Sequence, residues 1–235
     1  MSRGKLIEDL ISKKIYEGES EDQLIQVFTD YAVSGGKDGM DKVKGKAIMN
    51  NAISSHLFEY LESYNVMTHF LSKLSDKEMV IKKAEKLPFL VDVTNMASGK
   101  LARRIGFENG TLLENPIVEI YLENDKLKNP MVNESHLLAL NIISKDEILS
   151  INRILQKVNA VLKSFFERRD MHFVQITLRF CRYRGHMVIG DEMTPDTCHL
   201  WDIQTNEHLD LSRYSGKLNN IEGLYRKVHD KILGD

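Results

Sequence analysis

Cysteine, proline and tryptophan are scarce in this chain of 235 residues, which has two, four and one of them respectively. Cys181 and Cys198 form no CxxC pair and have no paired histidine ligands nearby in the sequence, so neither a disulfide framework nor a zinc site is predicted. No apolar run approaches the roughly 18 residues that a membrane helix needs. We therefore expect a cytoplasmic protein with two plain thiols and no membrane partner.

An excess of charge of one sign is also lacking. The 32 basic residues nearly balance the 34 acidic ones, which gives a formal net charge of -2. Broad binding to nucleic acid requires a basic field, so no nucleic-acid partner is expected. Hydrophobic residues make up 42% of the chain, enough to fill the core of one large domain or two modest lobes.

Apolar and polar residues alternate strictly over residues 174–180. The apolar positions are Val174, Ile176, Leu178 and Phe180, and the polar ones are Gln175, Thr177 and Arg179. A period of two predicts a strand with one buried face. A turn at Arg184 and Gly185 and a second strand at residues 187–189 complete a hairpin. Asp191 and Glu192 follow it, either as oxygen ligands for Mg²⁺ or as an ordinary exposed acidic turn.

The first part of the chain predicts strands at residues 11–16, 23–28, 67–71 and 79–83. A helix lies between the second and third strands, and its apolar stripe consists of Ile48, Met49, Ile53, Leu57, Phe58 and Leu61. The glycine-bearing loop at residues 34–39 precedes this helix. Gly45 and Lys46 are followed by alanine rather than serine or threonine, so we reject a Walker motif. The loop is either a looser phosphate cradle or an exposed connection.

The second part begins near Pro88 with a strand at residues 89–93 and a short helix at 97–105. A lysine in the first turn of a helix opposes the helix dipole, so Lys100 predicts a bound anion nearby or, alternatively, a solvated basic face. A strand at 117–122 and a loop at 123–134 follow. Ser144 and Glu147 predict a capping box before a long amphipathic helix, and a final helix is predicted for residues 220–233.

The run GDEMTPDTCHLWD at residues 190–202 resembles the C-terminal signature of the SAICAR synthetase family. Five further motifs follow the family's order and spacing: MNN at 49–51, TH at 68–69, KK at 82–83, NxxxGxLxxR at 95–104 and ENDKLKNPMVNE at 123–134. The similarity covers roughly residues 10–235. Each motif is weak alone, and the set in this order is specific.

The resemblance implies an α+β fold with a small antiparallel-strand N-terminal lobe (residues 1–86) over a larger α+β C-terminal lobe (residues 87–235). It implies an ATP-dependent ligase of purine biosynthesis that joins carboxyaminoimidazole ribonucleotide to L-aspartate, uses ATP and Mg²⁺, and forms a homodimer. The implied site residues are Lys13 and Lys83 for ATP, Asn95, Gly99, Lys100, Asp196 and His199 for substrates, and Asp191 for the metal. No catalytic residue is assigned.

The polar face of the alternating strand departs from the family pattern. Where the family has an acid, a lysine and a metal-binding glutamate, this chain has Gln175, Thr177 and Arg179. A guanidinium cannot ligate Mg²⁺, so we expect Arg179 to pair with Asp191 and Mg²⁺ to be recruited weakly, together with nucleotide phosphates. Two hypotheses stay open: a SAICAR synthetase with a rearranged site, or a paralogue that has lost ligation and acts as a nucleotide-binding or partner protein.

Overall fold

The structure is a computed structural model that describes residues 3–33, 40–210 and 221–234. The glycine-bearing loop at residues 34–39 and the first residue of the predicted final helix lie outside these ranges. Within them the chain is α+β with antiparallel sheets, as the sequence predicts. None of the helices in the described ranges combines the length and the apolar character needed to cross a membrane.

The N-terminal lobe is built on a five-stranded sheet of order β1-β2-β3-β7-β6. Its elements are β1 (Leu6–Asp9), β2 (Lys13–Glu17), β3 (Gln23–Phe28), β4 (Tyr31–Val33), β5 (Met40–Lys42), α1 (Lys46–Ser63), β6 (Phe70–Lys73) and β7 (Glu78–Lys82). The strand predicted for residues 11–16 starts at Lys13 and is the second strand, because β1 was not predicted. The strand predicted for 67–71 starts three residues later and ends two residues later, as β6.

The C-terminal lobe is built on a sheet of order β10-β9-β8-β11-β12, and β13 also pairs with β11. Its elements are β8 (Glu85–Ala97), α2 (Gly99–Ile105), β9 (Thr111–Leu122), β10 (Met131–Val132), α3 (Glu134–Ala139), α4 (Lys145–Glu167), β11 (Met171–Tyr183), β12 (His186–Gly190), β13 (Cys198–Asp202) and α5 (Ile221–Leu233). The helix predicted from residue 97 starts at Gly99 because β8 continues to Ala97.

The predicted central hairpin is confirmed as β11 and β12. The four apolar residues of the alternating stretch are 2% exposed or less, whereas Gln175, Thr177 and Arg179 are half-buried. Arg184 and Gly185 take positive φ angles of 49° and 80° at the turn. This register turns Gln175, Thr177 and Arg179, the polar row of β11, away from α4. Helix α4 packs on the apolar face of the strand.

Helix α1 is buried on more than one side. The predicted apolar stripe is therefore wrong at its N-terminal end, where Ile48 was expected to be buried. It contacts the N-terminal sheet and also α4 and α5. Ile53 and Leu57 are buried as predicted, but Ile48 is 40% exposed. Buried polar residues such as Asn50 and Ser54 take its place inside, because this helix lies between two layers and not on the surface of one.

One hydrophobic core runs through both lobes. Ile15 and Phe28 of the N-terminal sheet belong to the same cluster of buried side chains as Leu162 of α4 and Leu178 of β11. Thr68 also forms a parallel bridge with Ile189 of β12. The predicted boundary between residues 86 and 87 falls near the start of β8, so that strand leads the chain from one lobe into the other.

Candidate active site

A cavity of about 300 Å³ lies between the N-terminal sheet and the start of the loop after β12. Apolar side chains from β2, β3 and β7 form part of its wall, and lysines form another part. The lysines are Lys13, Lys82, Lys83 and Lys86. Both residues predicted for ATP, Lys13 and Lys83, therefore line one cavity, in which cationic side chains meet an apolar surface.

Lys13 meets two carboxylates at the inner end of this first cavity. Its ammonium contacts Asp191, and its Nζ donates to Glu192 Oε1 at 2.9 Å. Ser12 Oγ donates to the same Glu192 oxygen at 3.0 Å. Burial lowers the pKa of Lys13, while attraction to Glu192 opposes that shift. The lysine side chain is thus held at low exposure in contact with two acidic partners.

Arg179 pairs with Asp191, which confirms the pair predicted from the sequence. Arg179 Nε donates to Asp191 Oδ2 at 2.9 Å. The other end of the guanidinium binds both carboxylate oxygens of Glu123, one of them at 2.6 Å. Burial opposes a rise in the pKa of Arg179, but the hydrogen bond to Glu123 leaves it raised. Arg179 is therefore a fixed cation between two loops.

These residues do not fit a magnesium ion held by the protein. One oxygen of Asp191 contacts Lys13 and the other accepts from Arg179. The described residues contain no group of three histidine, cysteine or acidic side chains arranged to hold a metal. Because both of its oxygens contact cations, Asp191 in this arrangement is an ion-pair partner, and its predicted role as a metal ligand stays a prediction.

A second cavity, of about 640 Å³, lies beside α2 in the C-terminal lobe. Three of the residues predicted for substrates line it: Gly99, Lys100 and His199. Arg103 and Arg104 add two more cations from the same short helix. The structure thus places Lys100 and His199, both implied as substrate residues by the resemblance, at one cavity.

His199 is held in place by a buried carboxylate. Its Nδ1 lies 3.2 Å from Asp210 Oδ1. Burial disfavours the charged imidazole, but the hydrogen bond and attraction to Asp210 leave the pKa of His199 raised. A protonated His199 adds positive charge to a cavity that already contains Lys100, so the cavity favours anionic ligands.

The polar row of β11 runs from the second cavity to the first. Gln175 lines the second cavity, and Cys181, which lies further along the same strand, lines the first. Between them, Gln175 and Thr177 both donate to Asp92 of β8, at 2.8 and 2.6 Å. Sequence reasoning missed Asp92, although an acidic residue in the middle of a strand flanked by Val91 and Val93 was a usable signal.

Asn95 and Asp196, also predicted for substrates, are not among the residues that line these two cavities. Asn95 exchanges two side-chain hydrogen bonds of 2.8 Å with Asn159. Asp196 lies 2.6 Å from the ammonium of Lys46 and accepts from Asn50 at 2.9 Å and from Tyr225. In this arrangement both side chains tie helices to the sheet region, and their predicted substrate contacts stay predictions.

His69 and Gln26 of the first cavity were also missed as site residues. Both are buried and both line the cavity. Burial lowers the pKa of His69 to about 3, with Lys13 and Lys82 adding to the effect. His69 is therefore neutral at physiological pH and presents uncharged ring nitrogens. Only the TH motif at residues 68–69 pointed toward this histidine.

The fold and the cavities define a class: an α+β protein with antiparallel sheets and two cavities that are lined in part by lysine and arginine side chains. The SAICAR synthetase family model matches residues 10–232. The chain belongs to the SAICAR synthetase family.

Relatives and solved structures agree along the whole length. The phosphoribosylaminoimidazole-succinocarboxamide synthase of Chlorobium luteolum is 40% identical over 234 residues, covering 100% of this chain and 98% of the relative. The synthase of Ehrlichia chaffeensis has a crystal structure with a TM-score of 0.92 and 33% identity, covering 97% of this chain and 98% of that one. A SAICAR synthetase in complex with ADP gives a TM-score of 0.91 and 32% identity, with 98% coverage of both chains.

Proposed function

We propose that this chain is an ATP-dependent ligase of purine biosynthesis that joins carboxyaminoimidazole ribonucleotide to L-aspartate. The observation that carries the proposal is full-length similarity to synthases of this name, at 37 to 40% identity for the relatives from Chlorobium luteolum and Chloroherpeton thalassium. The two cation-lined cavities support it, because the reaction needs a nucleotide and a second phosphate-bearing substrate side by side.

The first cavity is the proposed nucleotide site. Its apolar strands suit a base, and Lys13, Lys82 and Lys83 suit the phosphates. The similar SAICAR synthetase that was solved with ADP supports this assignment. The second cavity, with Lys100 and His199, is the proposed site of the imidazole ribonucleotide.

The proposed chemistry runs between the two cavities. A carboxylate oxygen of the ribonucleotide attacks the terminal phosphorus of ATP and ADP leaves, which gives an acyl phosphate. The ammonium of aspartate gives one proton to solvent, and its amino nitrogen then attacks the acyl carbon. The bond from the acyl carbon to the phosphate oxygen breaks, and inorganic phosphate leaves with the electron pair while the nitrogen loses a second proton to solvent as the amide forms. Phosphoryl transfer needs neutralisation of negative charge, and Lys13 and Arg179 are the proposed sources of positive charge, both in contact with Asp191 at the first cavity.

Magnesium is proposed to enter with the nucleotide phosphates. The resemblance implies Mg²⁺, but Asp191 is engaged by Lys13 and Arg179. A hydrated Mg²⁺ that is already bound to phosphate oxygens needs few protein ligands. The alternative hypothesis, a paralogue that has lost ligation, rested on the three substitutions on β11. It is not favoured, because the ion pairs of Arg179 leave the surrounding scaffold intact and the similarity extends over the whole chain.

The decisive experiment is formation of the succinocarboxamide product. The purified chain is incubated with ATP, the carboxylated ribonucleotide, L-aspartate and millimolar Mg²⁺, and product is followed together with ADP. We expect product and ADP in equal amounts, and none when L-aspartate is left out. As a second arm, the gene should restore purine-free growth to a bacterium that lacks its own synthetase. If no product forms and growth is not restored, the proposed function is wrong and the paralogue hypothesis is favoured instead.

We also propose that the protein is a homodimer of the cytoplasm, as the resemblance implies. Apolar side chains are exposed along one edge of the C-terminal sheet, including Leu112 at 61%, Val118 at 46% and Met131 at 48%. A second copy that covers this edge would remove these side chains from water. Light scattering after size exclusion measures the mass, and a value near 27.0 kDa would mean a monomer.

A further inference from the structure

Asp92 is a carboxylate on the wall of the second cavity. It lies on β8 between Glu119 of β9 and Thr177 of β11, its Cα partners on the two sides. Its Oδ1 accepts from Thr177 Oγ1 at 2.6 Å, and its Oδ2 accepts from Gln175 Nε2 at 2.8 Å. Two donors on one strand thus fix the orientation of the carboxylate toward the cavity.

Among the described residues, no cation contacts Asp92 directly, and His199 acts on it only by electrostatic attraction. Both of its donors are neutral, and none of the described lysines, arginines or histidines forms an ion pair with it. Glu119 on the same wall differs, because Arg104 binds it. A half-buried carboxylate without a cation is unfavourable, and burial accordingly raises the pKa of Asp92, with His199 opposing the shift and Glu119 adding to it.

We infer that Asp92 binds the amino group of the amino-acid substrate and so selects and places the nucleophile of the ligation. This inference rests on the proposed function and adds a residue to it. An ammonium group would be a cation in direct contact with Asp92, whose two hydrogen-bond donors are neutral. The lone pairs left on the two carboxylate oxygens are available for it, because each oxygen accepts one hydrogen bond and has room for another.

The charges around the cavity match a dicarboxylic amino acid. Arg103 lines the same cavity as Asp92, so the lining offers a cation for a carboxylate as well as an anion for the amine. A neutral hydroxyl ligand, such as a ribose, would leave the charge of Asp92 uncompensated. The amine is therefore the better partner in electrostatic terms.

This assignment also accounts for two of the substitutions on β11. Where the family has an acid and a lysine, this chain has Gln175 and Thr177. Both of these side chains donate a hydrogen bond to Asp92. The negative charge is thus presented from β8 and oriented by β11. Two neutral donors suit a neighbouring carboxylate, whereas an acid at position 175 would repel it.

The test is calorimetric titration of L-aspartate into the protein saturated with ADP and the imidazole ribonucleotide. Asp92→Asn keeps the shape and the hydrogen bonds, since the amide of Gln175 can turn to offer its oxygen, but it removes the charge. We expect L-aspartate affinity to fall about tenfold or more, with ADP and ribonucleotide affinities within about twofold of the parent. Glu114→Gln, which removes an exposed carboxylate on β9, is the matched control and should change none of the three.

The outcomes separate the possibilities. Unchanged L-aspartate affinity in Asp92→Asn overturns the inference, as does a loss confined to the ribonucleotide, which would mean that Asp92 accepts from a hydroxyl. A similar loss for all three ligands together with a lower unfolding temperature would show a structural role and would also overturn it. If the parent protein binds ADP and the ribonucleotide but not L-aspartate, the proposed function fails and this inference fails with it.

Discussion

Arg179 shows how a single residue changes the electrostatics of this site. Its guanidinium lies between Glu123 and Asp191, which are 56 and 12 residues away in the sequence. The family's glutamate at this position would add negative charge beside Asp191 and attract a cation. Here the cation is part of the chain, so the positive charge next to the first cavity does not depend on a bound ion.

We predict that Arg179→Glu increases the magnesium dependence of nucleotide binding. The change removes a cation and places a second carboxylate near Asp191, which is the ligand pattern that Mg²⁺ prefers. ADP affinity measured by calorimetry should be nearly the same with and without Mg²⁺ in the parent, and should rise by about tenfold with Mg²⁺ in the variant. Arg179→Lys is the control, since it retains the charge, and should behave like the parent. Equal affinities with and without Mg²⁺ in the glutamate variant would contradict this account.

Lys100 is the second residue whose role can be measured directly. It is exposed in the first turn of α2 and lines the second cavity. We predict that Lys100→Ala weakens ribonucleotide binding by about three- to tenfold, because one charged contact to a phosphate is lost partly in solvent. Lys157→Ala, an exposed lysine on α4, should have no effect in the same titration. An unchanged affinity in the Lys100 variant would make Lys100 a solvated surface charge.

At the scale of elements, α4 supports the strand that carries the site. The sequence predicted both its capping box and its buried stripe. Ser144 Oγ accepts from the Glu147 backbone at 3.2 Å, and the Glu147 carboxylate accepts from the Ser144 backbone at 2.7 Å. Val158 and Leu162 of this helix are fully buried against the core that includes β11.

We predict that Ser144→Ala lowers the free energy of unfolding by about 1 kcal/mol, the usual cost of losing an N-cap side chain. Denaturant titration followed by circular dichroism measures the change. Ser150→Ala is the matched control. Its hydroxyl donates to the carbonyl of Asp146 inside the same helix, and alanine is the better helix former, so that variant should be neutral or slightly more stable. Equal destabilisation by both substitutions would argue against a capping role.

For the whole molecule, the continuous core predicts that the two lobes unfold together. Phe28 of the N-terminal lobe and Leu162 of the C-terminal lobe belong to the same buried cluster. Domains that share a large apolar core usually unfold cooperatively. The predicted division at residues 86 and 87 therefore describes shape and does not predict two independent folding units.

We predict a single calorimetric unfolding transition. Phe28→Ala and Leu162→Ala should each shift that same transition to lower temperature. Each substitution leaves a cavity in the shared core, which lowers the free energy of unfolding by about 2 to 5 kcal/mol. Two resolved transitions, with each substitution moving only one of them, would show that the lobes are separate folding units.

Sequence by itself determined the local features and the family. The alternation at residues 174–180, the capping box at Ser144 and the amphipathic pattern of α4 are short-range patterns. Each was confirmed because the period of a strand or helix is set by neighbouring residues. The ordered motifs identified the family for a similar reason, since their spacing is readable without a structure. The pair of Arg179 with Asp191 was predictable because a hairpin brings nearby residues together.

Only the tertiary structure decided which distant residues complete the site. Asp92 meets Thr177 across 85 positions of the chain, and Glu123 meets Arg179 across 56. The sequence placed Ile48 inside and left Asp92 unremarked, because the layers on each side of α1 and the order of strands in a sheet depend on contacts between remote segments. The two neutral donors to Asp92 follow from that strand order, which sets β8 between β9 and β11 and places Gln175 and Thr177 next to the carboxylate.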